Sequence, residues 1–140
     1  IYKVETFDVK GKSILTSQYK YYLADIGLKN AMCGFRSEDI QGYVENILFL
    51  EMKARGYDVW IGDHSGKEVD LVCRKGNDAI YIQATTHLSD EGVVEREFGN
   101  LRNIPDNHPK YVVVLENSPL DADIDGIRCV LLKDFLKNNI

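Results

Sequence analysis

The sequence predicts an α/β fold in which helices flank a mixed sheet. Segments with helical spacing of apolar residues alternate along the chain with segments that have strand-like patterns. The 140 residues fit one domain. Hydrophobic residues make up 44% and charged residues 28%, which is the composition of a chain that can bury a core. This composition argues against a disordered, collagen-like or coiled-coil protein.

The first 36 residues predict an arm made of a β-hairpin and a short helical piece. YKVETFDV alternates apolar and polar residues, VKGKS has turn composition, and YKYYLADIGLKNAM is rich in aromatic residues. This segment has a net charge of +3, so the rest of the chain carries −8 of the total of −5. The basic arm is either a contact surface or an ordinary solvated hairpin, and the second interpretation is the simpler one.

The next segment predicts a long helix. Ser37 is a suitable N-cap residue, acidic residues follow it, and Gly56 is a suitable end. Glu45 lies beside the apolar stripe of this helix. That stripe consists of Ile40, Tyr43, Val44, Ile47 and Leu48.

Three short strands are predicted after Gly56. They are YDVWIGD, KEVDLVCR and AIYIQATT, and the turn sequences HSG and KGND between them predict an antiparallel meander. Trp60 and Tyr81 in these strands could stack on a nucleic-acid base, but aromatic residues at alternate strand positions more often pack in a core.

A second helix and two buried strands follow the meander. The helix is expected to begin at Ser89, to present Val94, Phe98 and Leu101 on one face, and to end before Pro105. KYVVVLE and GIRCVLL predict strands that are buried on both faces, and a short helix follows from Lys133. We therefore expect an arm over 1–36 and an α/β domain over 37–140.

The turn between the second and third strands of the meander sets their register. Whether the loop has two or four residues, Asp70 opposes Gln83 and Glu68 opposes Thr85. These four side chains are expected to form a polar pocket on one side of the hairpin. The apolar side of the second strand is expected at Val69, Leu71 and Cys73.

The polar pocket has the chemistry of a magnesium site. Directly opposed strand residues lie about 4.5–5.5 Å apart at Cβ, close enough for two oxygen atoms to share a cation. Mg²⁺ prefers hard oxygen ligands and usually takes one or two carboxylates. Asp70 and Gln83 would bind it from the strands and Glu45 from a helix packed over them. The simpler alternative is that Asp70 and Glu68 are solvated residues of a half-exposed sheet.

The same segments carry a family resemblance. ENILFLEMKARGYDVWIG, KEVDLV, AIYIQAT and a helix containing EREF resemble the restriction-endonuclease-like PD-(D/E)XK superfamily. With KYYLADIGLKNAM included, the whole chain resembles the uncharacterised C-terminal domain that follows AAA-type P-loop ATPase modules in bacterial and archaeal proteins. The resemblance implies an αβββαβ core with a metal site on the central hairpin.

The resemblance also implies roles for individual residues. It places the acid of the first helix at Glu45, the aspartate of the second strand at Asp70 and the acid of the third strand at Gln83. The motif lysine falls at Thr85. Glutamine can still coordinate through its carbonyl oxygen, but threonine does not supply the positive charge that orients water and stabilises a phosphate.

Two functions remain open on this basis. The first is a metal-dependent nuclease-like domain that acts on or binds DNA, with Mg²⁺ held by Glu45, Asp70 and Gln83 and with Arg74 or Arg96 in place of the missing lysine. The second is a catalytically inactive copy that serves as a DNA-binding, ATPase-regulatory or protein-interaction module. No phosphate-binding glycine motif is present, so the ATPase would be an N-terminal module of the same, longer chain.

The sequence also predicts where the protein works. Its three cysteines lack CxxC spacing, which is typical of reduced thiols rather than of a disulfide frame or a zinc site. There is no signal-peptide pattern and no apolar run approaching the ~20 residues of a membrane span. We therefore expect a cytoplasmic protein with no membrane segment. Because the chain begins at Ile1 in strand-like sequence, we expect it to be part of a longer protein.

Overall fold

The computed structural model describes residues 1–116 and 123–138. It confirms the predicted α/β class, with a mixed sheet flanked by helices. The strands are β1 (Tyr2–Asp8), β2 (Ser13–Tyr22), β3 (Asp58–His64), β4 (Lys67–Lys75), β5 (Asp78–Thr85), β6 (Lys110–Val114) and β7 (Arg128–Leu131). The helices are α1 (Ile26–Cys33), α2 (Ile40–Ala54), α3 (Glu91–Arg102) and α4 (Leu132–Lys137), with a 3-10 turn over Ser37–Asp39 before α2.

The strands form one sheet in the order β2-β1-β3-β4-β5-β6-β7. The pairs β1–β2, β3–β4 and β4–β5 are antiparallel, which confirms the predicted hairpin and meander. The pairs β1–β3, β5–β6 and β6–β7 are parallel. The buried strands β4, β5 and β6 therefore each have a paired strand on both sides within a mixed sheet.

The hairpin at the start of the chain is part of this sheet. β1 pairs with β3, with Thr6 opposite Ile61, and Val4 and Tyr22 are buried in the core. The strands of the predicted arm over 1–36 thus pack directly on the strands that follow residue 37. An ATPase module before them stays a prediction.

Apolar side chains cover both faces of the sheet. On one face, Leu48 and Met52 of α2 pack with residues of β4 and β5, and α4 extends this cluster over β6. On the other face, Phe98 and Leu101 of α3 pack against β4, β5 and β6. Burying each large apolar side chain stabilises the folded state by about 1.5–3 kcal/mol. These two clusters therefore hold α2 and α3 on opposite faces of the sheet.

Both predicted N-caps differ from the structure. Ser37 begins the 3-10 turn, and no side-chain hydrogen bond caps α2, so the N-cap prediction at Ser37 is wrong. In α3 the cap is Asp90 rather than Ser89, because the Asp90 carboxylate accepts a hydrogen bond from Val93 N–H at 3.0 Å. Gly56 follows α2 with a φ of 84°, a left-handed conformation that favours glycine, as predicted.

A β-bulge in β4 changes the predicted side-chain pattern. Trp60 pairs with Val72, but Gly62 pairs with Val69, so two residues of β4 oppose Ile61. The extra residue reverses the alternation. Leu71 and Cys73 belong to the cluster under α2, whereas Val69 belongs to the cluster under α3. The prediction that Val69 shares a face with Leu71 and Cys73 is therefore wrong.

Gly62 makes this bulge sterically feasible. A Cβ atom at position 62 would lie 2.7 Å from both Val69 Cβ and Val72 Cγ2, a distance that side-chain carbons do not adopt. An isolated glycine within a strand pattern is a known signal of a bulge. Bulges redirect the side chains next to them, and Asp70 lies at this one.

Two amide side chains of α2 join this helix to the ends of two strands. Asn46 Oδ1 accepts a hydrogen bond from Leu23 N–H at 2.7 Å, and its Nδ2 donates to Leu23 O at 2.9 Å. Gln41 Nε2 donates to Ala84 O at 2.7 Å, and its Oε1 accepts from Thr86 N–H at 3.0 Å. These bonds position α2 between β2 and β5, and they place Glu45 between the two strand ends.

We expect Asn46→Ala to lower the free energy of unfolding by about 2–3 kcal/mol, because it leaves two backbone groups of Leu23 without partners in a part-buried site. Urea denaturation followed by circular dichroism measures this change. Asn103→Ala is the matched control, since the exposed Asn103 makes a single hydrogen bond to Gly99 O. Equal effects of the two substitutions would show that Asn46 does not hold α2 against β2.

Candidate functional site

An open cleft of about 280 Å³ lies where α2, β4, β5 and α3 meet. We call it the Asp70 cleft. Its polar lining includes Gln41, Asp70, Gln83, Thr85, Arg96 and Glu97. Two of the three predicted ligands therefore line one cleft. The third, Glu45, lies on the adjoining turn of α2 and interacts electrostatically with Asp70.

The predicted register of β4 and β5 is confirmed. Leu71 pairs with Ile82 and Val72 with Tyr81 in the predicted register, and the paired ladder ends at Leu71, one residue before Asp70. The Asp70 N–H donates to Gln83 Oε1 over a long 3.4 Å, and the Ala84 N–H donates to Asp70 Oδ2 at 2.7 Å. The structure thus places the Asp70 carboxylate and the Gln83 amide side by side.

The second predicted pair, Glu68 and Thr85, does not form. The ladder ends at Leu71, because the bulge at Asp70 separates the start of β4 from β5. Glu68 is exposed, and its strand partner is Asp63 of β3. The Thr85 hydroxyl donates to His87 O at 3.2 Å instead.

Asp70 is a buried carboxylate. Only 7% of its surface is exposed, so the alternative that it is a solvated strand residue is wrong. Burial, together with repulsion from Glu45, raises the pKa of Asp70 to about 8, although the Ala84 N–H and the ammonium of Lys20 oppose this rise. Among the described residues, no cationic group bonds to Asp70, and no hydrogen bond uses its Oδ1 atom.

Glu45 is held by two residues of β2. Its Oε1 accepts hydrogen bonds from Lys20 Nζ at 3.1 Å and from the Tyr22 hydroxyl. The Tyr22 ring stacks on Phe49 of α2 at a centroid distance of 4.4 Å, which fixes the hydroxyl in place. Burial and the nearby Glu45 carboxylate raise the pKa of Tyr22, so it stays a neutral donor. Glu45 therefore has a fixed orientation.

Lys20 is the basic residue that the sequence interpretation missed. Its Nζ lies 2.5 Å from Glu68 Oε1 as well as 3.1 Å from Glu45. Burial alone would lower the pKa of Lys20, but the two carboxylates outweigh this effect and raise it. Lys20 and the buried Tyr22 are two positions apart on one strand. That spacing is the sequence signal that Lys20 faces the interior of the fold.

The two arginines proposed to replace the motif lysine lie in different places. Arg96 lines the Asp70 cleft, where its Nη2 lies 2.6 Å from Glu97 Oε1, and its side chain is 67% exposed. Arg74 lies over the Phe7 ring at 5.8 Å and lines a separate pocket. Arg96 therefore stays a candidate for contact with a ligand in the cleft, and Arg74 does not. Glu97, which is 4% exposed, was not singled out by the sequence.

His87 is exposed at the rim of the cleft. Its Nδ1 lies 3.0 Å from the hydroxyl of Thr86, the residue before it, and its carbonyl accepts the Thr85 hydroxyl. These contacts lie within one loop after β5. They position the loop rather than a ligand.

The donor set of the cleft fits a hard cation. Among residues 1–116 and 123–138, no group of three His, Cys, Asp or Glu side chains is placed to hold a metal ion. Mg²⁺, however, usually takes one or two carboxylates and fills its other positions with neutral oxygens. In the cleft, Asp70 and the amide oxygen of Gln83 offer one carboxylate and one neutral oxygen, and Glu45 lies close enough to affect the charge of Asp70.

Comparisons with known proteins give one informative match. No family model matches the chain, and no solved structure matches it. An uncharacterised protein of Haemophilus influenzae is 31% identical over 135 residues, which is 96% of this chain. The chain spans only a third of that relative, 33% of its length. In the described part of the chain, the helices are too short or too polar to span a membrane.

We expect Asp70→Asn to have a higher free energy of unfolding than the wild type when EDTA removes metal ions. This difference should increase with pH. The folded-state pKa of Asp70, about 8, lies above its unfolded value of about 3.9. The protonated carboxyl therefore contributes stability that is fully present below pH ~4 and is lost as the pH rises through about 8. Asparagine does not ionise, so it avoids this loss.

Melting temperatures from pH 5 to pH 9 measure the effect. The advantage of Asp70→Asn over the wild type should grow from pH 5 to about pH 8 and then level off, and Asp78→Asn, at an exposed position of β5, is the matched control. An advantage that stays constant or shrinks would contradict the burial of an uncompensated carboxylate at Asp70.

Proposed function

We propose that this chain is a metal-dependent nuclease-like domain that acts on the phosphodiester bonds of DNA through the Asp70 cleft. One observation carries the proposal. Asp70 is a buried carboxylate beside a second carboxylate, Glu45, and no cationic side chain of the described residues bonds to it. We further propose the restriction-endonuclease-like αβββαβ core as its fold, because the observed element order agrees with it.

The energetics of Asp70 favour a bound cation. Removing a carboxylate from water costs several kcal/mol unless it is paired, and a neighbouring carboxylate adds repulsion. A divalent cation in the cleft would offset both costs. The oxygens of Asp70, Glu45 and Gln83 are hard ligands, and Mg²⁺ is the divalent ion that suits one or two carboxylates with retained water.

Hydrogen bonds within the chain orient the three proposed ligands. The Ala84 N–H orients Asp70, the Tyr22 hydroxyl orients Glu45, and the Asp70 N–H orients the Gln83 amide. When bound, Mg²⁺ supplies water with a lowered pKa and stabilises charge on the phosphate.

Two cations near the site complement the charge of DNA. Lys20 places an ammonium beside the acids, which Thr85 in the motif position does not do. Arg96 extends from α3 at the cleft and, being largely exposed, can contact a DNA phosphate.

The proposal also includes the part of the protein beyond this domain. The chain aligns with one third of the Haemophilus influenzae relative, so that protein has a large further part. We propose that in this protein an N-terminal P-loop ATPase module of the same chain accompanies the domain, and that both act in the cytoplasm on DNA.

Metal titration tests the site. In isothermal titration calorimetry, Mg²⁺ and Mn²⁺ should bind the wild type and Asp78→Asn, and Asp70→Asn should weaken binding by at least about tenfold, because one anionic ligand is lost. The same proteins are then incubated with supercoiled plasmid DNA and each metal, and nicking should disappear in Asp70→Asn.

Two outcomes would contradict the proposal. Nicking that survives Asp70→Asn would place the activity outside this cleft or in a contaminant. Absence of metal binding to the wild type would exclude the magnesium site itself.

The Lys20–Glu45 ion pair favours a second candidate, an inactive copy of the fold that regulates its ATPase partner. In this case the Lys20 ammonium, 3.1 Å from Glu45, takes the place of a metal ion. Lys20→Met should then lower the melting temperature by several degrees, and Mg²⁺ should restore it only in this variant. A wild type that binds Mg²⁺ as tightly as Lys20→Met would contradict this candidate.

A further inference from the structure

A second surface, away from the Asp70 cleft, combines aromatic rings with cationic side chains. We call it the hairpin face, and it lies on the side of the sheet that carries α3. Because α3 packs on β4, β5 and β6, it leaves Lys3 of β1 and Tyr19 and Tyr21 of β2 exposed on this side, whereas Phe7 of β1 is buried. The hairpin face consists of the exposed Lys3, Lys12, Tyr19, Tyr21 and Arg74, the half-buried Trp60, and the buried Phe7 and Tyr81, which line a pocket next to them.

The register of the first hairpin places its members in one row. Lys3 pairs with Tyr21 and Glu5 with Tyr19, so these residues share one side of the sheet. The Tyr19 and Tyr21 rings lie 5.5 Å apart, and Lys3 Nζ lies 4.2 Å from the Tyr19 ring. Tyr19 is 47% and Tyr21 62% exposed, so both rings are accessible from solvent.

The row continues across β3 and β4. Phe7 contacts Trp60 at a centroid distance of 5.9 Å, and the Arg74 guanidinium lies 5.8 Å from the Phe7 ring. Beyond them lies a pocket of about 160 Å³, lined by Phe7, Tyr81, Lys12 and Arg74 among others. From β2 to β5 the surface spans four strand spacings, or about 19 Å.

The charges of this surface favour binding of an anionic partner. Lys3, Lys12 and Arg74 form no ion pair with another described residue. The acid at the pocket, Asp106, is already bonded to the Tyr81 hydroxyl and to Lys110. The other acids on this side are Glu5 in the row and Asp58, which lies opposite Arg74 across β3 and β4, so three cations face two acids. The face therefore has a positive balance on a protein whose net charge is −5.

We propose that the hairpin face binds single-stranded nucleic acid. Exposed aromatic rings can stack on unpaired bases, and interspersed cations attract the phosphate backbone. Duplex DNA is a poorer fit, because its bases are stacked on one another and hidden from a flat surface. The pocket between Phe7 and Tyr81 is large enough to take part of a base, with Lys12 and Arg74 beside it. This binding requires neither a metal ion nor catalysis at Asp70.

Fluorescence anisotropy with a labelled 12-nucleotide oligothymidine, in EDTA, tests the proposal. The wild type should bind the oligonucleotide more tightly than a 12-base-pair duplex. The double variant Tyr19→Ala, Tyr21→Ala should lose at least about fivefold in affinity, since each stacked ring contributes measurably to binding. Phe35→Ala is the matched control, because Phe35 is 63% exposed but lies after α1, outside the hairpin face. Unchanged melting temperatures confirm that the variants are folded.

The salt dependence provides an independent readout. Arg74→Gln should reduce the slope of log affinity against log salt concentration by about 0.7, the value for one phosphate contact to a single strand. Lys53→Gln, at an exposed position of α2, should leave the slope unchanged. Equal affinity for duplex and single strand, or unchanged affinity in the tyrosine double variant, would overturn the proposal. Displacement of the oligonucleotide by polyglutamate at equal charge concentration would also overturn it, in favour of an acidic protein partner.

Discussion

The burial of the Asp70 carboxylate is the constraint on which the candidate site depends. Asp70 lies at a β-bulge that requires Gly62 on the neighbouring strand, because any larger residue there would collide with Val69 and Val72. The bulge directs Asp70 towards the region between α2 and α3, close to Glu45. A fold that needed only stability would gain nothing from two neighbouring carboxylates at this depth. The arrangement is costly unless a proton or a cation neutralises one of the two charges.

The N-terminal hairpin connects this site to the rest of the protein. Lys20 and Tyr22 of β2 bind Glu45, and Asn46 of α2 binds the backbone that follows β2. Any movement of the hairpin relative to α2 would therefore change the charge around the candidate ligands. The opposite side of the same hairpin carries Tyr19 and Tyr21.

Much of the fold was predictable from local patterns. Periodicity and turn residues predict the α-helices over the second and third quarters of the chain, the meander, and the register that pairs Leu71 with Ile82. The bulge was missed, although Gly62 within a strand pattern is a signal for it. As a result, the predicted position of Val69 and the predicted pair of Glu68 with Thr85 were wrong.

The remaining site residues depend on long-range pairing that local patterns do not encode. Lys20 reaches Glu45 only because β1 pairs with β3 and brings β2 to the sheet, and this parallel pairing joins segments more than 50 residues apart. Glu97 and Gln41 have ordinary helical positions in the sequence, and only the packing of α2 and α3 at one end of the sheet brings them to the cleft.

Diffraction from a crystal of the protein soaked in Mn²⁺, measured near the manganese absorption edge, would show directly whether the Asp70 cleft binds a cation. We expect an anomalous density peak about 2.0–2.6 Å from a carboxylate oxygen of Asp70 and from the Gln83 amide oxygen. Density at that place in the wild type, and its absence in Asp70→Asn, would establish the Asp70 cleft as a cation site. A wild-type crystal with no peak there, and with Lys20 still bonded to Glu45, would contradict it.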